Sequence, residues 1–356
     1  LDQQTYRKLI SGQGSPLVGI PVRLLLTVLS WPYALVVRLR NALYSRHWLA
    51  IQRVDVPVLC IGNLTTGGTG KTPLVAWLAR LLRGKGLRVA ILTRGYKAGR
   101  GVLSDEPAEL AAACDGAAVI VNPDRVAGAT EAIDNHDAQV LLMDDGFQHR
   151  RLARNLDIIT IDATQPFGYG RMLPAGLLRE PLSGLRRAQA VVITRSDQVG
   201  DERLSQIESR VRRFNPELVV ARAVHAPIGV CYSDGSESDL ATLKGCKVFA
   251  FCGLGNPDAF FRTVAACAGT LVGSLAFNDH HAYTKQCLET VYDQARSRQA
   301  ELLVTSSKDW SKITPLIASP PALPLAYLPV EVRFTTAGEK LTSLIERELS
   351  GTIVGL

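Results

Sequence analysis

No C-x-x-C pair occurs in this 356-residue chain, and its seven cysteines are scattered and odd in number. That excludes a disulfide framework and a structural zinc site, and it fits a reducing compartment. Internal repeats and low-complexity segments are also missing. With 47% apolar and 21% charged residues, the chain is not disordered. A cleavable signal peptide is not expected, because charged, apolar and small-residue regions do not follow one another in that order. An evenly basic surface is lacking too. The formal net charge is +7, yet residues 1–53 hold seven basic residues against Asp2 alone. The rest is near neutral, which argues against a general nucleic-acid binder.

The basic head is also apolar. Residues 17–37 are long enough to span a bilayer, but Arg23 lies among them, and Pro21 and Pro32 are expected to interrupt the run. Arg23, Thr27, Ser30, Ala34, Arg38, Asn41 and Ser45 recur at spacings of three and four, so a helix gathers them into one narrow stripe. Trp31, Tyr33 and Trp48 suit a headgroup layer, and the arginines suit anionic lipid. The favoured expectation is a helix lying in the surface of an acidic leaflet. A helix packed on the main domain and a true span are the alternatives.

The apolar run VLCIGN reads as a buried parallel strand. Thr65, Thr66, Gly67, Gly68, Thr69, Gly70, Lys71 and Thr72 follow, and then a helical pattern. Strand, glycine-rich loop, Lys-Thr, helix is the arrangement that turns backbone N–H groups and a helix N-terminus onto phosphate oxygens. Lys71 is expected at the β- and γ-phosphates and the Thr72 hydroxyl at Mg²⁺. Thr65 stands where the general pattern has glycine. The ligand expected here is a nucleoside triphosphate.

Residues 139–145 form an apolar strand that ends in Asp144 and Asp145, one of which should handle Mg²⁺ or its water. Gln148, His149, Arg150 and Arg151 follow on a loop at a strand's C-terminal end, where α/β sheets bind ligands. Further strands are expected at 157–163, 190–194, 218–224, 247–253 and 301–307. Most alternate with helical patterns, so the class is α/β with a largely parallel sheet flanked by helices. Residues 320–329 read as a proline-rich turn region. The expected organisation is a membrane-associating segment at 1–53, a phosphate-loop core at 54–230 and a smaller C-terminal α/β lobe at 231–356.

Read together, GNLTTGGTGKTP, TRGY, SDEP, MDDGFQHRRLARNLDI, LPAGLLREP, FNDHHAY and TSSKDWSK resemble the tetraacyldisaccharide 4′-kinase family over nearly the whole chain. The variant loop with Thr65 agrees with that family's own. The resemblance implies transfer of the γ-phosphate of ATP, with Mg²⁺, to the 4′-hydroxyl of a tetraacylated glucosamine disaccharide 1-phosphate, giving lipid IV-A. It implies Asp105 and His280 as the catalytic pair, with His281 as the competitor of His280. It further implies Tyr96, Arg125, Gln148, His149, Arg179 and Glu180 as substrate- or nucleotide-site residues. The expected surroundings are the cytoplasmic face of the bacterial inner membrane, with a lipid substrate and no obligate protein partner. The competing reading is a membrane-recruited phosphate-loop ATPase switch of the ParA type, but the loop carries only Lys71. A GTPase would need an N-K-x-D for guanine, which Thr305-Ser306-Ser307-Lys308-Asp309 does not supply.

Overall fold

The computed structural model describes residues 3–13, 16–95, 105–114, 116–317, 321 and 323–351. Two compact units emerge, Leu1–Val224 with Val332–Leu356, and His225–Glu331. The first opens with helices α1 (Gln3–Ser11) and α2 (Pro16–Ser45). Then come β1 (Val58–Gly62), α3 (Lys71–Gly84), β2 (Val89–Thr93), α4 (Asp105–Ala113), β3 (Ala118–Val121), α5 (Arg125–His136) and β4 (Val140–Asp144). β5 (Leu156–Asp162), β6 (Ala190–Thr194), α6 (Asp201–Arg212) and β7 (Val219–Pro227) follow. The second unit holds β8 (Val230–Tyr232), β9 (Glu237–Ser238), β10 (Lys247–Cys252), α7 (Pro257–Cys267), β11 (Thr270–Ala276), α8 (Lys285–Ser297), β12 (Leu302–Ser306), α9 (Ser307–Ile313) and β13 (Leu325–Leu328). The chain closes with β14 (Val330–Thr336) and α10 (Gly338–Ser350).

The first sheet runs β14-β7-β6-β5-β1-β4-β2-β3, and its pairs from β7 through β3 are parallel. Both faces are covered, which explains why its central strands read as unbroken apolar runs. On one face lie Ala129 and Ala132 of α5 with Leu204, Ile207 and Val211 of α6. On the other lie Leu74, Leu78 and Leu82 of α3, Leu110 of α4, and Leu341, Leu344, Ile345 and Leu349 of α10. The expected C-terminal lobe 231–356 therefore divides at 331/332. α10 carries its apolar stripe back to the first core.

The second sheet, β11-β10-β12-β13-β8-β9, is parallel from β11 to β13 and antiparallel beyond. Its β13 lies inside the stretch expected to be a proline-rich turn. The prolines fall outside the four-residue strand, so its ladder keeps its donors.

α2 is one 30-residue helix that runs through Pro21 and Pro32, against the expected interruption. Each proline removes an intrahelical hydrogen bond, and docking of the polar stripe offsets the loss. The Thr27 hydroxyl accepts from Arg171 at 3.2 Å, Ser30 is buried, and Asn41 and Ser45 meet the loop after β4 and its neighbours. Leu24, Leu25, Val28, Leu29, Trp31, Leu35, Val36 and Leu39 face outward. Thr27, Ser30 and Asn41 of the stripe face protein, Arg38 remains exposed, and most of the apolar surface is open. By length and composition Gly19–Ser45 is sufficient to cross a membrane.

Candidate active site

β1 ends at Gly62, where an added Cβ would lie 2.6 Å from Phe147 Cβ, so the strand end and the loop after β4 pack backbone to side chain. Residues 63–70 then turn back into α3, with Gly70 at φ +81°. Glycine takes that left-handed geometry at no steric cost. The first half of the loop is tied sideways. The Thr66 N–H donates to Leu177 O at 2.8 Å, and the Arg179 N–H donates to Leu64 O at 2.7 Å. The second half is held from behind. The Asn63 amide donates to Thr69 Oγ1 at 3.1 Å, and the hydroxyls of Thr69 and Thr160 lie 2.7 Å apart. The Thr194 hydroxyl donates to Thr69 O at 2.9 Å, and Arg195 donates to Gly68 O at 3.0 Å. Arg195 is fixed in turn by an ion pair with Asp162. These anchors take the Leu64, Gly68 and Thr69 carbonyls, so those groups do not compete with an anion for the loop's donors.

Asp144 and Asp145 close β4, with Asp144 in register beside Ile61 of β1. The two aspartates differ. Asp144 is buried in the strand end. Asp145 turns out at φ +49° and places Oδ1 3.4 Å from Lys71 Nζ and Oδ2 2.8 Å from Arg179 Nη1. Burial would raise the Asp145 carboxyl, but Lys71 and Arg179 outweigh it and hold it at about 2. Among the described residues no three His, Cys, Asp or Glu side chains form a metal cage. Mg²⁺ does not need one, since it keeps waters and joins one or two protein oxygens to substrate phosphates. The Thr72 hydroxyl and the carboxylate at the end of β4 are donors of that kind.

Glu180 is sealed in the interior. It accepts from Gln148 Nε2 at 2.9 Å and from Asn41 Nδ2 of α2 at 3.1 Å, and it pairs with Arg187 at 3.2 Å. Gln148 also donates to Asn63 O at 2.9 Å. Tyr33 of α2 donates to Arg179 O at 2.9 Å. Glu180 and Gln148 thus support Arg179 and the loop from inside the fold.

Arg125 starts α5 behind an Asp124 cap and is only 4% exposed. It donates to Asn122 O at 2.7 Å. Burial lowers its pKa, while the charges of Asp144 and Asp145 act against that, which puts it in the same electrostatic neighbourhood. His149 is pushed below its ordinary value by burial, with Arg125 and Arg154 adding to the effect. Arg150 and Arg151, expected to face a substrate, are used structurally. Arg150 donates to Asn41 O at 2.8 Å beside α2, and Arg151 pairs with Asp124 at 2.9 Å. Tyr96 lies outside the described residues. Asp105 opens α4, and its side chain lies outside them too.

In the second unit the paired histidines separate. His281 stacks on Phe277 with ring centres 4.6 Å apart, meets Tyr283 edge-on, and lies 3.4 Å from Cys287 Sγ. It is part of a packed aromatic cluster, and burial lowers its pKa. His280 turns outward at φ +59°, with its Nε2 3.3 Å from Lys308 Nζ. Lys308 also pairs with Asp279 at 2.9 Å. Asp309 next door is buried and accepts from Gly253 N at 2.9 Å and from the Ser306 hydroxyl at 2.6 Å, which fixes the start of α9. Sequence reading missed Arg195 and Asp162 altogether. The last pair follows β6 in T-R-S-D and ends β5, with no spacing that joins them.

Comparison with known proteins places this geometry. A sequence model described as tetraacyldisaccharide-1-P 4′-kinase matches residues 22–350. The tetraacyldisaccharide 4′-kinase of Syntrophotalea carbinolica is 36% identical over 366 residues, covering 96% of this chain and 98% of that protein. That of Anaeromyxobacter dehalogenans is 39% identical over 307 residues, covering 81% and 80%. The crystal structure of LpxK from Aquifex aeolicus in complex with ATP is 30% identical and superposes with a TM-score of 0.68, covering 92% of this chain and 99% of that one. With a phosphate loop, a paired-aspartate strand and matches of this extent, the chain belongs to the tetraacyldisaccharide-1-P 4′-kinase family.

Proposed function

We propose that the chain transfers the γ-phosphoryl group of ATP to the 4′-hydroxyl of tetraacyldisaccharide 1-phosphate, giving lipid IV-A and ADP. The observation that carries the reading is the Lys71–Asp145–Arg179 cluster beside a glycine-rich loop whose Gly68 and Thr69 carbonyls are anchored elsewhere. The 4′-oxygen forms a bond to the γ-phosphorus as the bond to the β–γ bridging oxygen breaks, and ADP leaves with that oxygen. Asp105 takes the hydroxyl proton, and His280 is the second acid–base residue. Lys71 and the loop amides hold the β- and γ-phosphates. Thr72 and the carboxylates at the end of β4, Asp144 and Asp145, would hold Mg²⁺, which would neutralise phosphate charge when bound. Arg125, His149 and Arg179 bind the anionic sugar head, a role the family resemblance extends to Tyr96.

The substrate carries four acyl chains, and the outward face of α2 suits the surface in which it resides. We propose that α2 lies in the cytoplasmic leaflet of the inner membrane, with its apolar side inserted and its polar stripe on the protein. A transfer assay with γ-labelled ATP, Mg²⁺ and the tetraacyl disaccharide 1-phosphate in detergent micelles tests the reading. Labelled lipid from the wild type, lost in Lys71→Ala and Asp105→Ala, is the expected result. Release of inorganic phosphate alone, whatever lipid is offered, would overturn it in favour of a switch ATPase.

A further inference from the structure

We propose that Arg7, on helix α1, is a further cation for the polyphosphate of the bound nucleotide. A phosphate loop presents donors and positive charge that stay uncompensated until the anion arrives. At this loop three cations already have carboxylate partners, Lys71 and Arg179 in Asp145 and Arg195 in Asp162. Arg7 has neither a carboxylate nor a hydrogen-bond partner among the described residues. Its guanidinium nonetheless lies on the loop. A Cβ added to Gly67 would be 3.1 Å from Arg7 Nη2. Gly67, at φ +105°, directly follows Thr66, whose own N–H is taken by Leu177 O.

The placement is built. The Tyr6 hydroxyl donates to Pro174 O at 2.7 Å and reaches Gly176 O at 3.3 Å. Ile10, one turn on, is buried. The turn that receives Tyr6 continues into Leu177, the residue that anchors Thr66. α1 and the first half of the loop therefore hang on one short segment, and Arg7 cannot shift far from Gly67 without breaking it. A guanidinium offers paired N–H donors that match phosphate oxygens. A lipid phosphate has the same chemistry, but the position over Gly67 assigns Arg7 to the nucleotide. Arg7 precedes residues 22–350, the part matched by the family model.

The inference rests on residues 63–72 being the ATP phosphate site, so the experiment separates the two. Calorimetry on the full chain with Mg²⁺ compares ATP and AMP binding to wild type, Arg7→Ala, Arg7→Lys and Lys71→Ala, and steady-state assays give KM for ATP and for the lipid. Arg7→Ala should weaken ATP on the order of tenfold to a hundredfold, the range of one charged hydrogen-bonding partner. AMP binding and the lipid KM should not change, and Arg7→Lys should recover part of the loss. Unchanged ATP binding in Arg7→Ala, with binding lost in Lys71→Ala, would overturn the Arg7 assignment alone. A rise confined to the lipid KM would also overturn it, by giving the guanidinium to the lipid's phosphate. Wild-type ATP binding by Lys71→Ala would remove the phosphate-site reading, and Arg7 with it.

Discussion

The outward face of α2 gives the sharpest quantitative prediction. Leu35 is 67% exposed and Leu39 58%, so each offers more than half of its side chain to whatever lies outside. Burying a leucine fully contributes about 1.5–3 kcal/mol. Scaled by the open fraction, each should contribute about 1–2 kcal/mol on entering an acyl layer. Replacing both with serine should cost about 2–4 kcal/mol of membrane affinity, or roughly thirty- to several-hundred-fold. The assay is flotation of the purified chain with vesicles containing anionic lipid, run at one salt concentration because the arginines of the head add a screened attraction. Thermal melting in detergent is the control. Neither side chain belongs to the fold's core, so the melting temperature should hold. Unchanged vesicle partition would refute the inserted face. A large drop in melting temperature would show that the two leucines are packed against protein.

Three further outcomes follow from the site. Glu180→Ala leaves the part-buried Arg187 without its carboxylate and should destabilise the fold by about 3–5 kcal/mol, with Glu180→Gln milder, read by denaturant melts. Asp145 is held at about 2, below its unfolded value, so its stabilisation is complete above the unfolded pKa and lost as pH falls through about 2. Asp145→Asn should therefore be less stable than wild type at pH 6, with the difference closing as the pH approaches 2, and a constant difference would contradict the ion-paired assignment. Arg195→Met frees Gly68 O and leaves Asp162 without its arginine, so ATP affinity should fall by about tenfold in a nucleotide titration, with the lipid KM unchanged.

The central strands were legible because burial on both faces writes itself as an apolar run, as in 139–145 and 190–194. β11 was not, since most of its residues are half-buried and TLVGSLA carries no clean period. β13 hid between prolines. The phosphate loop was legible because its chemistry dictates glycine and lysine in a fixed order. The supports of that loop were not, because Thr160, Asp162, Thr194 and Arg195 meet it only through parallel pairing of β1, β5 and β6. For α2, the spacing of three and four located the polar stripe but not its partner. Water and the Glu180 network would select the same residues. The difference between His280 and His281 also needed coordinates, since one neighbour is an aromatic cluster and the other is Lys308.

The return of the chain at Val332 sets an order of events during synthesis. Seven strands of the first sheet emerge before the second unit begins, but Leu341, Leu344, Ile345 and Leu349 come last. Until they arrive, the α3 side of the sheet stays partly uncovered while a whole inserted unit is still being made. A nascent chain in this state exposes apolar surface and an unpaired edge at β7. Chains cut short before α10 should therefore be selectively visible to chaperones and proteases.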